Sequence, residues 1–245
     1  MSIEIKWPWE INDLTNYAVV ICDVYAATTN IAYFLTHGVK QLLIVNKENV
    51  VRAKKQFPPA LVIGDKPKNF SADIFDSGNS SSMISQLDLK GKTVLYTTNN
   101  GSRTIEFAKN KGAKEIFTVS LTALSSVASH IRTFSYDKLM LIPAGERDNY
   151  KITDYKALED LICIELLRDR LISKNTDISS QIEKAKGFIR SHYGSPHRED
   201  NFREVFAIDK YSCVPTFKQL FEGLIEITDA LSSPEQEKNL GKCFS

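Results

Sequence analysis

The stretch Tyr17-Ala-Val-Val-Ile-Cys-Asp-Val-Tyr-Ala-Ala-Thr-Thr-Asn30 holds a strand, its end and the start of a helix. Tyr17 to Cys22 is a continuous apolar run rich in β-branched residues, the pattern of a strand buried on both faces. The run stops at Asp23. From about Ala27 to His37 the apolar residues Ile31, Ala32, Phe34 and Leu35 recur at helical spacing, and His37-Gly38 supplies a stop. A buried strand that ends in a polar turn and feeds a helix is the repeating unit of a parallel sheet.

Working outward, the alternation continues. Gln41 to Val45 reads as a strand, Glu48 to Gln56 as a helix, and Ala60 to Ile63 as a strand ending at Gly64-Asp65. Thr93 to Tyr96 is a strand that runs into Thr97-Thr-Asn-Asn-Gly101, with a helix from Arg103 to about Lys111. Glu115 to Val119 and Lys138 to Ile142 are further strands, separated by a helix from about Leu124 to Thr133. After Gly145 the pattern turns helical, with helices over Asp154 to Leu171, Ile178 to His192, and on to about Phe206 after a Ser195-Pro196 turn. Ser212 to Pro215 reads as a late strand at one edge of the sheet. The expectation is an α/β protein, a three-layer α/β/α arrangement around a mainly parallel sheet. It is read as one compact domain over 1–245, with a helical C-terminal portion and a polar tail from about 233.

A chain of 245 residues that is 42% hydrophobic and 25% charged can bury one large core. Its 31 lysines and arginines nearly balance its 30 aspartates and glutamates, which argues against non-specific nucleic-acid binding or adhesion to anionic lipid. A small ligand is the better expectation. Cys22, Cys163, Cys213 and Cys243 lack C-x-x-C spacing and read as reduced structural thiols. The N-terminus has no signal-peptide pattern, and Asp23 and Thr28-Thr29-Asn30 interrupt the longest apolar region, so a cytoplasmic protein without a membrane span is expected.

In parallel sheets ligands bind beyond the carboxyl ends of the strands, where free helix N–H groups attract anions. The polar strand ends here are Asp23 with Thr28-Thr29-Asn30, then Asp65, then Thr97 to Arg103, then Glu146-Arg147. In Thr97-Thr-Asn-Asn-Gly-Ser-Arg103, Gly101 frees the backbone, the hydroxyls can wrap an anion, and Arg103 adds a fork of donors. An ordinary N-capped strand-to-helix turn explains the same residues equally well. Asp23, at the end of an apolar strand, would be costly to bury unpaired, which argues for a cation, an arginine or strong hydrogen bonds beside it. Glu159 and Asp160 lie where carboxylates favour a helix N-terminus, and with Glu146 they offer hard oxygen ligands suited to Mg²⁺. His37, His130, His192 and His197 show no zinc spacing, and no P-loop, nucleophile elbow or dinucleotide fingerprint appears.

Taken in order, Asp23-Val-Tyr-Ala-Ala-Thr-Thr29, Gly64-Asp65, Phe75-Asp-Ser-Gly-Asn-Ser80, Thr97 to Arg103, Ala144-Gly145 and Ala157-Leu-Glu-Asp160 resemble the 2-phosphosulfolactate phosphatases. These are Mg²⁺-dependent enzymes associated with coenzyme M biosynthesis. The resemblance implies hydrolysis of a small anionic phosphate ester. It implies Asp23, Glu146 and Arg103 as catalytic residues and Asp23, Glu159 and Asp160 as holders of Mg²⁺. Thr28, Thr29, Asn79, Ser80, Asn100, Gly101 and Ser102 would then hold the substrate. Two departures stand out: Ala26 where the family usually has arginine, and Asp65 where it usually has glutamate. They open an alternative, a weakened or inactive relative that binds an anionic metabolite. The first segment also superficially resembles the haloacid dehalogenase nucleophile loop, but Tyr25 stands where that superfamily has its second aspartate. A homodimer is expected on no particular residue.

Overall fold

A computed structural model describes residues 1–66, 72–134, 136–145, 157–193, 198–221 and 224–232. One nine-stranded sheet organises them: β1 (Ser2–Ile5), β2 (Ala18–Cys22), β3 (Gln41–Val45), β4 (Leu61–Gly64), β5 (Thr93–Thr97), β6 (Glu115–Val119), β7 (Lys138–Pro143), β8 (Pro215–Phe221) and β9 (Leu224–Asp229). The helices are α1 (Ala27–Thr36), α2 (Val50–Gln56), α3 (Ser81–Ile84), α4 (Gly101–Asn110), α5 (Leu124–Phe134), α6 (Leu158–Leu171), α7 (Ile178–His192) and α8 (Arg198–Val205).

The spatial order is β1-β7-β2-β6-β8-β9-β3-β5-β4. The pairings within β1-β7-β2-β6 and within β3-β5-β4 are parallel, and the β8–β9 hairpin joins the two blocks through antiparallel contacts on both sides. The mainly parallel α/β sheet expected from the sequence is therefore present. Two details differ. The late strand is a hairpin in the middle of the sheet rather than one edge strand, and the edge beside β7 is taken by β1, which the sequence pattern did not announce. Three successive antiparallel pairings invert strand direction between the blocks. Twist offsets much of that inversion, since the five steps from β2 to β5 accumulate on the order of 100–125°.

Alternation along each strand assigns the core. Ala18, Val20 and Cys22 of β2 face a cluster with α5, α6, α7 and α8, whereas Val19 and Ile21 face α1 and α4. Leu42, Ile44, Val94 and Tyr96 of the other block join that second cluster, and Leu43, Val45 and Leu95 turn outward onto Val50 and Ala53 of α2. Both blocks thus grip α1 and α4, which is why the carboxyl ends of β2, β4 and β5 open near one another. Burying a side chain such as Ile21 contributes about 1.5–3 kcal/mol. The continuous apolar run of β2 reflects burial on both sides, and all five of its residues are inaccessible.

Most helices lie where the sequence places them, but α2 begins at Val50 after a short 3-10 turn rather than at Glu48, and α4 begins at Gly101 rather than Arg103. α6 begins at Leu158 after Ala157 in the left-handed region, and the short α3 was not expected. Residues 154–156 of the expected long helix, the Ser195-Pro196 turn and the polar tail lie outside the described residues, as does Cys243. Cys22, Cys163 and Cys213 are buried free thiols. Among the described residues no helix is long and apolar enough to cross a membrane.

Candidate active site

A hollow of about 260 Å³ opens at the strand ends, lined by Asp23, Tyr25, Asp65, Asn79, Thr98, Asn99, Asn100, Gly145, Ala157, Glu159, Asp160 and Tyr193. It draws on β2, β4, β5 and β7, the first turn of α6 and the end of α7. Segments separated by more than a hundred residues meet here because strands of both blocks pack on α1 and α4.

Asp23 leaves β2 at the point where two helices begin. Its Oδ1 accepts the Ala27 N–H of α1 at 3.4 Å, and the Gly101 N–H of α4 lies near enough to favour its charged form. Burial pushes the Asp23 carboxyl up to about 6, the negative charge of Asp65 adds to the rise, and the two helix N–H groups oppose it. Two ten-residue helices begin at this one carboxylate, so the positive ends of both helix dipoles favour its charged form.

Asp160 acts from the first turn of α6. Its Oδ1 accepts the Val24 N–H at 2.7 Å and its Oδ2 accepts the Gly145 N–H at 3.2 Å. The side chain therefore bridges the loops after β2 and β7. Burial, and then the charges of Glu159 and Asp23, raise its carboxyl well above the ordinary range. Beside it, buried Glu159 accepts the Tyr193 hydroxyl at 2.9 Å, and the Tyr193 ring stacks on Tyr25 with centroids 5.6 Å apart.

The third wall comes from β4 and β5. Gly64 has φ +130°, and a β-carbon there would fall 1.8 Å from the Thr97 carbonyl, so only glycine allows the two strand ends to touch. This contact lets the Asp65 N–H reach the Thr97 carbonyl at 2.9 Å, and the Asp65 carboxylate accepts the Asn99 N–H at 2.8 Å. Burial raises the Asp65 carboxyl, against the pull of the Asn99 N–H and of Lys47. Asn79 is held by buried Asn30, whose Nδ2 donates to its carbonyl and to its Oδ1, and the Tyr96 hydroxyl donates to that same Oδ1.

The hollow thus gathers Asp23, Asp65, Asn79, Asn100, Glu159 and Asp160 from the residues singled out in the sequence, with Gly101 packed against Asp23. Others are committed elsewhere. The Thr28 and Thr29 hydroxyls donate to the Asp23 and Val24 carbonyls at 2.9 Å, fixing the turn into α1. Ser102 donates to the Thr98 carbonyl at 2.7 Å, and Ser80 donates to Asn201 at 2.9 Å. Arg103 is exposed on α4 and is not among the lining residues. Glu146 lies outside the described residues. Thr98 and Asn99 belong to the strand-end segment singled out in the sequence, and Tyr25 lies inside the first motif, although none of the three has a role of its own in that reading. Tyr193 was not anticipated, and nothing local marks it.

As to a metal, no three His, Cys, Asp or Glu side chains come together as a cage among the described residues. Asp23, Glu159 and Asp160 are therefore not a complete three-carboxylate ligand set. They do fit Mg²⁺ in chemistry, because that ion commonly takes one or two carboxylates and completes its shell with water and phosphate oxygens. The buried carboxylates also raise one another's proton affinity, a repulsion that a dication relieves.

A family model described as 2-phosphosulpholactate phosphatase matches residues 6–219. Proteins named probable 2-phosphosulfolactate phosphatase from Clostridium beijerinckii and Carboxydothermus hydrogenoformans are each 28% identical, over 165 and 157 residues. Those matches cover 66% and 63% of this chain and equal shares of the relatives, a little under two thirds of their length. A protein of the same name from Clostridium novyi is 27% identical over 218 residues, covering 83% of this chain and 90% of its own.

Proposed function

Because the chain belongs to the 2-phosphosulpholactate phosphatase family, we propose that it is a phosphoric monoester hydrolase. Its substrate is a small acidic phosphate ester, 2-phosphosulfolactate or a related phospho-hydroxy acid, which water converts to the alcohol and inorganic phosphate. The observation that carries this reading is the position of Asp23, a buried carboxylate facing the hollow at the N-termini of both α1 and α4.

The chain's own groups divide the work. In its anionic form Asp23 either takes a proton from the attacking water or attacks phosphorus itself, and both routes require the proton to have left its carboxyl. The loop Thr98-Asn99-Asn100 offers amide groups at the opening of α4, where phosphoryl oxygens are favoured. Asp160 keeps Val24 and Gly145 in register, and the Tyr25–Tyr193 stack closes one side against water. Mg²⁺ is the cofactor we assign, held by Asp23 with Glu159 and Asp160 near it. When bound it neutralises charge on a phosphoryl oxygen.

A second reading rests on Ala26. Its methyl group is buried in the core beside β2, at 4% exposure, so this position supplies no guanidinium to an anion. In that reading the protein binds an anionic metabolite with little or no turnover. A phosphate-release screen over phosphorylated hydroxy acids, with and without Mg²⁺, separates the two. Metal-dependent release that falls at least about 100-fold in Asp23→Asn supports the hydrolase. Thermal stabilisation by the esters without release at any metal concentration supports the binder, and neither response would sink both.

A further inference from the structure

We propose that Lys47 is the binding residue for the substrate's anionic end at the mouth of the hollow; the inference rests on the phosphatase reading of that site. Among the described residues lining the hollow, Asp23, Asp65, Glu159 and Asp160 carry carboxylates and none is lysine, arginine or histidine. An acidic phosphate ester brings at least two more negative charges at neutral pH, so a cation close to the wall favours its binding, most of all for the acidic group that lies away from the phosphate and its metal.

The sheet order supplies one. β3 lies beside β5 and parallel to it, which puts the turn after β3 next to the Thr98-Asn99-Asn100 loop. Lys47 opens that turn. Its ammonium donates to Oδ1 of Asn99, the residue whose N–H holds Asp65. It is half-buried, and among the described residues it forms no salt bridge. A bond to a neutral amide can be exchanged for a stronger, charge-assisted bond to a carboxylate, sulfonate or phosphate oxygen without breaking an ion pair. Asn99 itself lines the hollow, so the Lys47 ammonium sits one residue from its wall. The ligand class that suits this arrangement is a phosphate monoester with a second acidic group a few bonds from phosphorus, the phosphate lying deep and the second acid at the mouth.

The test compares the full chain with Lys47→Met and Lys47→Arg in Mg²⁺, using 2-phosphosulfolactate, with thermal melts of all three. Lys47→Met keeps most of the stem and removes the charge. It is expected to raise KM about tenfold, equivalent to about 1.4 kcal/mol, with kcat within about twofold, and Lys47→Arg is expected to recover most of the loss. Raising ionic strength should raise KM in the wild type more than in Lys47→Met. A merely structural lysine would not split KM from kcat in this way. An unchanged KM in a folded Lys47→Met protein overturns the proposal. If the wild type releases no phosphate, the phosphatase reading fails, and Lys47 is judged on the dissociation constant of inorganic phosphate. A roughly tenfold weakening in Lys47→Met then sustains the binding role, whereas equal binding, or none in the wild type, ends it.

Discussion

Gly101 begins α4 so close to α1 that a β-carbon on it would lie 2.7 Å from the methyl group of Ala27. The same added atom would sit 3.1 Å from Oδ2 of Asp23. Two helix N-termini are therefore packed against each other with one carboxylate between them, and glycine is what allows it. Gly101→Ala should cost about 1–3 kcal/mol by overpacking, despite the better helix propensity of alanine, and should weaken inorganic-phosphate binding. Ala27→Gly in the same chain should recover part of both losses, because it vacates the colliding methyl. Urea unfolding of the four proteins of this cycle checks the coupling, and strict additivity would show that the contact is relieved in some other way.

The Asp23 carboxyl gives stability a defined pH dependence. Its folded value of about 6 exceeds the ordinary 3.8, so the folded chain holds this proton more tightly than the unfolded one. The stability contributed by the group is complete below pH 3.8 and is lost as pH rises through about 6, a change of ~3 kcal/mol. In metal-free buffer the wild type should lose stability relative to Asp23→Asn between pH 4 and pH 7. Mg²⁺ at pH 7 should stabilise the wild type more than the variant. A stability difference that stays flat with pH would contradict the cause assigned here.

Asp160 is the brace between the loops after β2 and β7, and removing it should be felt as lost structure. Asp160→Ala leaves the buried Val24 and Gly145 N–H groups without acceptors. At about 1–3 kcal/mol each, the two together should lower unfolding free energy by roughly 2–6 kcal/mol. Denaturant midpoints read this directly, and a loss below about 1 kcal/mol would mean that the loops find other partners.

The sequence made some of this legible and withheld the rest for physical reasons. β2 could be read because burial on both faces writes a continuous apolar run, and α5, α6 and α7 because their spacing is helical over several turns. β1 is four residues at an edge, too short to leave a period. The β8–β9 hairpin shows that local pattern identifies strands poorly when pairing is what fixes them, since its place between β6 and β3 depends on partners far away in the sequence. In the hollow, Asp23, Asn100, Glu159 and Asp160 were visible as polar residues at strand or helix ends. The hydroxyls of Thr28, Thr29 and Ser102 looked identical in sequence, yet they satisfy backbone carbonyls. Lys47 follows the one early strand end whose residues were not weighed, and its nearness to Asn99 exists only once β3 and β5 pair.

Occupancy of the hollow should be visible without any label. Trp7 and Trp9, the only tryptophans in the chain, stack with centroids 5.1 Å apart. A β-carbon at Gly145 would fall 3.2–3.4 Å from their rings, so the backbone there lies directly against the pair. The Gly145 N–H is bound to Asp160, whose proton affinity depends on the charge at Asp23 and Glu159. A cation or oxyanion that changes this charge balance alters how firmly Asp160 holds Gly145, and the indoles next to it should respond. Titration with Mg²⁺ and then inorganic phosphate is expected to give saturable changes in tryptophan emission. Asp160→Asn should blunt them, because an amide offers one acceptor where two N–H groups need partners. Trp9→Phe, which leaves Trp7 in place, should keep the response at reduced amplitude. Saturable phosphate binding by dialysis with constant emission would show that the Gly145 loop stays fixed when the hollow fills.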